Sequence, residues 1–223
     1  MPLLSELVIR TYRDLADEAK AVFSTLQIED FIRGGIADLN RVAPTDTMEL
    51  IEFTTDPDTG QIAAYGYDIG IELPYRVEAM RLSDGYTTPI PEADIGQTGL
   101  TGFTFRKTAT GGYIEFPGWY LKGFALSEGV IRVHGYAQRP LPYTVGAVDP
   151  MVGLSQDEEY AVRSYAKSAG YDMLAHDRSL FAQWQGQTNN SDVSPTQMMQ
   201  MASSAKQEWD RHRGLIRVVR RYW

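Results

Sequence analysis

The sequence predicts an α+β fold, mainly helical, with two N-terminal and two C-terminal helices framing a central antiparallel β region and an extended C-terminal tail. Three observations predict it. Apolar residues recur at three- and four-residue spacings over about 3–43 and again over about 155–213. Between about 48 and 143 the pattern shortens to runs of strand length, punctuated by Gly, Pro, Asp and Thr. The last nine residues, LIRVVRRYW, are β-branched and basic.

In the first helix, over 3–23, Leu4, Leu7, Val8, Tyr12, Leu15, Ala19, Val22 and Phe23 form the apolar stripe, and Asp14, Asp17, Glu18 and Lys20 take the other face. Ser24-Thr-Leu-Gln27 has the spacing of a capping box, in which side chains at both ends satisfy free backbone N–H groups. It opens a second helix with Ile28, Phe31, Ile32, Ile36, Leu39 and Val42 on one face, and Pro44 stops it. Gly34-Gly35 costs helix stability at each position, so the pair signals either a close helix–helix approach or a kink.

Met48–Phe53 reads as a strand, DPDTG (56–60) as a turn, and 71–85 as another extended stretch. A Pro-, Gly- and Thr-rich loop is expected over 86–102. FTFRKTATGGYIEF (103–116) reads as a hairpin about Gly111-Gly112, and GFALSEGVIRVHGYA (123–137) as a second about Ser-Glu-Gly. Ser155-Gln-Asp-Glu158 caps a helix running to about 176, and 186–194 is a polar loop. Ser194-Pro-Thr-Gln197 starts the last helix, with Gly214 as its stop. One domain is expected over 1–213, and 214–223 is a basic docking tail.

Composition narrows the function. A chain of 223 residues with 43% hydrophobic and 22% charged residues and mean hydropathy -0.30 has the makeup of a soluble globular protein. No apolar run approaches the ~18 residues of a membrane span, and MPLLSELVIR carries no basic leader, so neither membrane nor secretory signal is expected. With no cysteine, disulfides, thiolate metal sites and cysteine nucleophiles are excluded.

Catalytic and cofactor motifs do not emerge. The glycines of GQTGLTG (Gly96, Gly99, Gly102) have the wrong spacing for a phosphate loop. DPDTGQ starts like a calcium loop but puts Tyr67 where a bidentate Glu is needed. His134, His176 and His212 share no metal-ligand spacing. Glu72, Glu78, Glu92, Asp94 and Glu115 could supply a carboxylate pair, but 29 acids make chance pairs common. Met198, Met199 and Met201 fall at helical spacing and read as packing residues; Trp119 and Tyr120 suit an interface or the edge of the β core. The expectation is therefore a protein that is not an enzyme and uses no cofactor or metal.

The charge distribution is more informative. From Lys206 onward six Lys and Arg face two acids, a net +4, which leaves -12 for residues 1–205. A purely solvating tail has no need of Leu215, Ile216, Val218 and Val219, nor of Tyr222 and Trp223 beside Arg217, Arg220 and Arg221; Arg and aromatics dominate binding hot spots. Nucleic acid, through phosphate contacts and base stacking, is one target, and an acidic protein groove is the other. The acidic body disfavours nucleic acid.

The order of ELVIRTYRDLADEAKAVFSTLQIEDFIRGGIADLNRVAP, IELPYRVEAMRLSDG, IRVHGYAQRPLPY, LSQDEEYAVRSYAKSAGYDML and SPTQMMQMASSAKQEWDRHRG resembles the head-to-tail adaptor (connector, head-completion) proteins of tailed bacteriophages over nearly the whole chain. The resemblance implies a virion protein of the head–tail interface, assembled in the host cytoplasm. It implies a homo-oligomeric ring, a dodecamer in most members, under the portal protein. DNA passes through such a ring without sequence-specific binding, and the next neck or tail protein docks below. The family's C-terminal segment docks on the portal, which carries that role to Arg217, Arg220, Arg221, Tyr222 and Trp223. The alternatives are a nucleic-acid-binding accessory protein acting through the tail, or another neck protein such as a stopper or tail-completion protein.

Overall fold

The computed structural model describes residues 2–52, 65–81, 85–92, 102–116, 129–143 and 148–219. The chain forms two compact units, one from Met1–Pro44 with Arg139–Trp223 and one from Thr45–Gln138.

The first unit is helical. Its elements are α1 (Leu4–Asp14), α2 (Thr25–Val42), α3 (Gln156–His176), α4 (Arg178–Thr188) and α5 (Pro195–Val219). Both expected capping boxes form, and the expected N-cap Ser194 makes a third with Gln197. The Ser24, Ser155 and Ser194 hydroxyls accept from the N–H groups of Gln27, Glu158 and Gln197, whose side chains accept in return from the serine N–H groups. The core joins the expected stripes, with Leu7, Leu15, Ile28, Ile32, Ile36, Leu39, Val162 and Leu174 fully buried. Gly34-Gly35 marks a close approach rather than a kink. A Cβ on Gly34 would lie 3.2 Å from the Tyr165 ring, and one on Gly35 3.2 Å from Val162 Cγ1, while α2 runs through both without a break.

The first helix is shorter than its stripe predicts. It ends at Asp14, and Ala16 and Lys20 adopt positive φ of 55°. The cause is Asp17, read from sequence as a surface residue but 1% exposed. Its carboxylate accepts from the N–H groups of Ala21 at 3.1 Å, Val22 at 3.2 Å and Phe23 at 2.9 Å, an alternative to helix that aspartate can offer the backbone. The freed carbonyls at the end of α1 find remote donors: the Tyr171 hydroxyl donates to Asp14 at 3.0 Å and the Trp184 indole N–H to Leu15 at 2.9 Å.

Two further differences lie at the C-terminal side. Among the described residues three helices follow the β unit where two were expected. Asp177 ends α3 and caps α4, its carboxylate accepting from Ser179 at 2.9 Å and Leu180 at 3.1 Å, so the chain turns and resumes within a residue. And α5 passes through Gly214 to Val219, where a stop and the start of the tail were expected. The glycine costs about 1 kcal/mol of helix propensity, which burial of Ile216 against the core more than offsets.

Among the described residues the second unit holds two antiparallel sheets. One has the order β1 (Thr45–Ile51), β7 (Gly129–Ala137), β3 (Leu73–Arg81), β4 (Thr87–Ile90); the other has the order β2 (Gly66–Ile69), β6 (Gly112–Glu115), β5 (Thr104–Lys107). Ile51, Val77, Ala79, Ile131 and Val133 of the first meet Ile69, Ile114 and Phe116 of the second in a separate apolar core. The hairpin about Gly111-Gly112 forms as expected, Phe105 opposite Ile114. Gly111 is required there, since a Cβ would stand 2.2 Å from the Ile69 carbonyl oxygen. β4 falls inside the stretch expected as loop. It is an edge strand, which tolerates Pro89 because no second neighbour needs its N–H. The 56–60 turn, the Ser-Glu-Gly turn, Trp119, Tyr120 and Asp94 lie outside the described residues.

Candidate functional site

Among the described residues singled out for chemistry, Glu78 and His134 come together and the others lie apart. Glu72 pairs with Lys107 at 2.5 Å and accepts from the Gln138 amide at 3.1 Å. Glu78 is 1% exposed on β3, beside Arg76, with Arg132 at 3.9 Å and His134 Nε2 at 3.5 Å. Beside this cluster the Tyr75 hydroxyl donates to Asp46 at 2.9 Å; burial, with that carboxylate, pushes its pKa up to about 12. His176 donates from Nδ1 to the Asp172 carbonyl at 2.8 Å in the last turn of α3, and His212 stacks on Tyr160 at 6.2 Å. Among the described residues no three His, Asp or Glu side chains are grouped to hold a metal ion, and no helix is long and apolar enough to cross a membrane.

The helical unit does contain a built depression. α3 and α5 run antiparallel, with Tyr160 level with His212, Tyr165 with Trp209, and Ser168 donating to the Ala202 carbonyl at 3.0 Å. Small residues on both helices, Ser168, Ala169, Ala202 and Ser203, leave an open groove of about 780 Å³ between them, with Asp38 of α2 in its lining. Tyr165 and Trp209 meet edge to face at 5.5 Å in its lining. At the α2 end the Arg213 guanidinium lies 5.7 Å from the Trp209 ring and bonds Asp210 at 2.8 Å and Asp38 at 3.4 Å. At the other end Asp172 is two-thirds exposed, and its one ion-pair neighbour among the described residues is His176 at 3.6 Å.

Sequence reasoning placed Met198, Met199 and Met201 in packing positions. Met198 is fully buried and Met201 packs on the core, whereas Met199 is 47% exposed along the groove. The signal that could have found the groove is the mixed stripe 199, 202, 203, 206, 209, 210 and 213, where small, charged and aromatic residues share one helix face. Arg217 lies within the last turns of α5, while Arg220, Arg221, Tyr222 and Trp223 lie outside the described residues.

A buried ion pair supports this unit near the two points where the chain leaves and re-enters it. Arg139, 5% exposed, donates to the Ala43 carbonyl at 2.6 Å, to Asn40 Oδ1 at 3.2 Å and to the Glu158 carboxylate. Asn40 in turn accepts from the Arg139 N–H and donates to its carbonyl, each at 2.9 Å. Burial alone would push the Glu158 carboxyl up, but the Ser155 N–H and the Arg139 guanidinium outweigh it and hold the carboxyl below its usual range.

Compared with known proteins, the chain matches no family model and no curated protein.

Proposed function

We propose that this chain is a structural subunit of a tailed-phage neck, a head-to-tail adaptor that assembles as a ring beneath the portal and prolongs the DNA channel toward the next neck or tail protein. One observation carries the reading. Both ends of the chain build a single helical unit, an antiparallel β unit is inserted between them, and the last helix leads in sequence into a basic, aromatic segment. This is the order of parts that the adaptor resemblance implies. The acidic body adds support, because a channel wall that repels phosphate lets DNA slide without sticking.

The test is co-expression of the full chain with the portal protein of the same genome, followed by affinity purification and electron microscopy. A stable complex in which the chain forms a ring coaxial with the portal is the expected result. Recovery of the chain bound only to DNA, with affinity falling steeply as salt rises, would replace this reading with that of a nucleic-acid accessory protein.

A further inference from the structure

We infer that neighbouring copies join through the two outer faces of the β unit, the Arg76–Arg132 face of one copy against the Asp68–Glu115 face of the next. The inference rests on the ring reading above and names the subunit contact that a ring requires.

Charge and strand alternation define the two faces. Residues 45–138 hold six Lys and Arg against thirteen acids, so the β unit carries -7 of the chain's -8. Two such units repel each other except where a cationic face meets an acidic one. Side chains alternate across each strand, and the inward ones of both sheets share one apolar core, so the outward ones lie on opposite sides of it. On the four-stranded sheet the outward set places Met48 opposite His134 and His134 opposite Arg76, with Leu50, Arg132 and Glu78 in the next row. On the three-stranded sheet it places Asp68 opposite Tyr113 and Tyr113 opposite Arg106, with Glu115 in the next row.

The first face is cationic toward solvent because its central carboxylate is sunk. Glu78 is 1% exposed, whereas the side chains of Arg76 and Arg132 are 58% and 29% exposed. The two guanidiniums share Glu78 and bring more N–H donors than it can accept. Met48 and Leu50, each about half exposed, extend this face along β1. The second face is its converse. Asp68 and Glu115 are exposed and have no ion pair among the described residues, and a carboxylate is the acceptor that a guanidinium meets with two parallel bonds. The minority charges are opposite too: Asp46, held by the Tyr75 hydroxyl, on the first face, and Arg106, 5.0 Å from the Tyr113 ring centre, on the second. A phosphate backbone would also accept from the guanidiniums, but it gains nothing from Met48 and Leu50 and is repelled by the acidity of the unit. The contact joins two different patches, which is the heterologous geometry that closes into rings.

The experiment uses three full-chain variants, all at exposed positions. D68K with E115K reverses the acidic face. M48E with L50E puts acids on the cationic face and leaves the Arg76–Glu78–Arg132 cluster in place. E18K with D157K makes the same change of charge as the first pair, but on the helical unit. Far-ultraviolet circular dichroism first establishes that each retains the wild-type spectrum. Sedimentation velocity then measures self-association. The expected result is assembly of wild type that weakens as salt rises, a loss of roughly tenfold or more in affinity for each β-unit variant, and no change for the helical-unit variant. An equimolar mixture of the two β-unit variants is expected to recover association, since each supplies the face that the other lacks. A wild-type chain that stays monomeric, a β-unit variant that assembles like wild type, a helical-unit variant as weak as the other two, or a mixture that fails to recover would each overturn the inference. The two readings fail separately. A chain that assembles through these faces but is absent from the purified portal complex sinks the ring reading alone, and a ring on the portal that D68K with E115K leaves intact sinks the contact alone.

Discussion

Replacing Arg139 by Ala takes the guanidinium away from the buried Glu158 carboxylate, which keeps its bond from the Ser155 N–H. Glu158 is 8% exposed, and Arg139 is its charged partner in the contacts described above. The substitution also takes a donor from the Ala43 carbonyl and one from Asn40 Oδ1. Breaking a buried ion pair from one side costs about 3–5 kcal/mol. For a chain of this size that lowers the melting temperature by about 6–20 °C. Urea denaturation followed by far-ultraviolet circular dichroism measures it. The control is R139M combined with E158Q, which removes both charges while the Gln can still accept from the Ser155 N–H. Because it strands no charge, the double variant is expected to recover at least half of the loss. A single variant costing under about 1 kcal/mol, in the range of exposed pairs, would refute the account of this pair as buried and coupled.

The same carboxylate sets a pH dependence. The folded-state pKa of Glu158 is lowered from its ordinary 4.5, so its stabilisation is fully present above that value and is lost as pH falls through the lower folded value. Urea midpoints from pH 6 down to about 3 will fall more steeply for wild type than for the R139M–E158Q variant. Asp17→Ala strands three backbone N–H groups and is expected to cost about 2–4 kcal/mol in the same assay, with Asp17→Asn milder. Partial desolvation and the Asp46 bond hold the Tyr75 phenol above its ordinary value, so spectrophotometric titration of Tyr75→Phe will lose one phenol from the alkaline end of the curve, where Tyr67 and Tyr171 also ionise late.

What could be read from the sequence was local. Each serine capping box named a helix start, because its chemistry lies within four residues. The Gly111-Gly112 hairpin was legible for the same reason. The Gly34-Gly35 pair announced a close approach or a kink without deciding between them; the partner that decides it, Tyr165, lies some 130 positions away. Asp17 misled because its role depends on turning inward beneath a loop, which no periodicity encodes. Gly214 misled because a propensity of about 1 kcal/mol yields to the burial of Ile216 two residues later. The groove was invisible for a related reason. A depression exists only when small side chains on two helices distant in sequence face each other.

The remote caps on α1 have a consequence for synthesis. The carbonyls of Asp14 and Leu15 wait for Tyr171 and Trp184, and the apolar faces of α1 and α2 wait for α3. The ribosome must therefore add over a hundred residues after α2 before those faces of α1 and α2 can be buried. The β unit is continuous from Thr45 to Gln138, so all its strands are available before α3 exists. The nascent protein passes through a stage in which its middle can be complete while its beginning still presents Leu4, Leu7, Ile32 and Ile36 to solvent, and chaperone demand is concentrated in that interval.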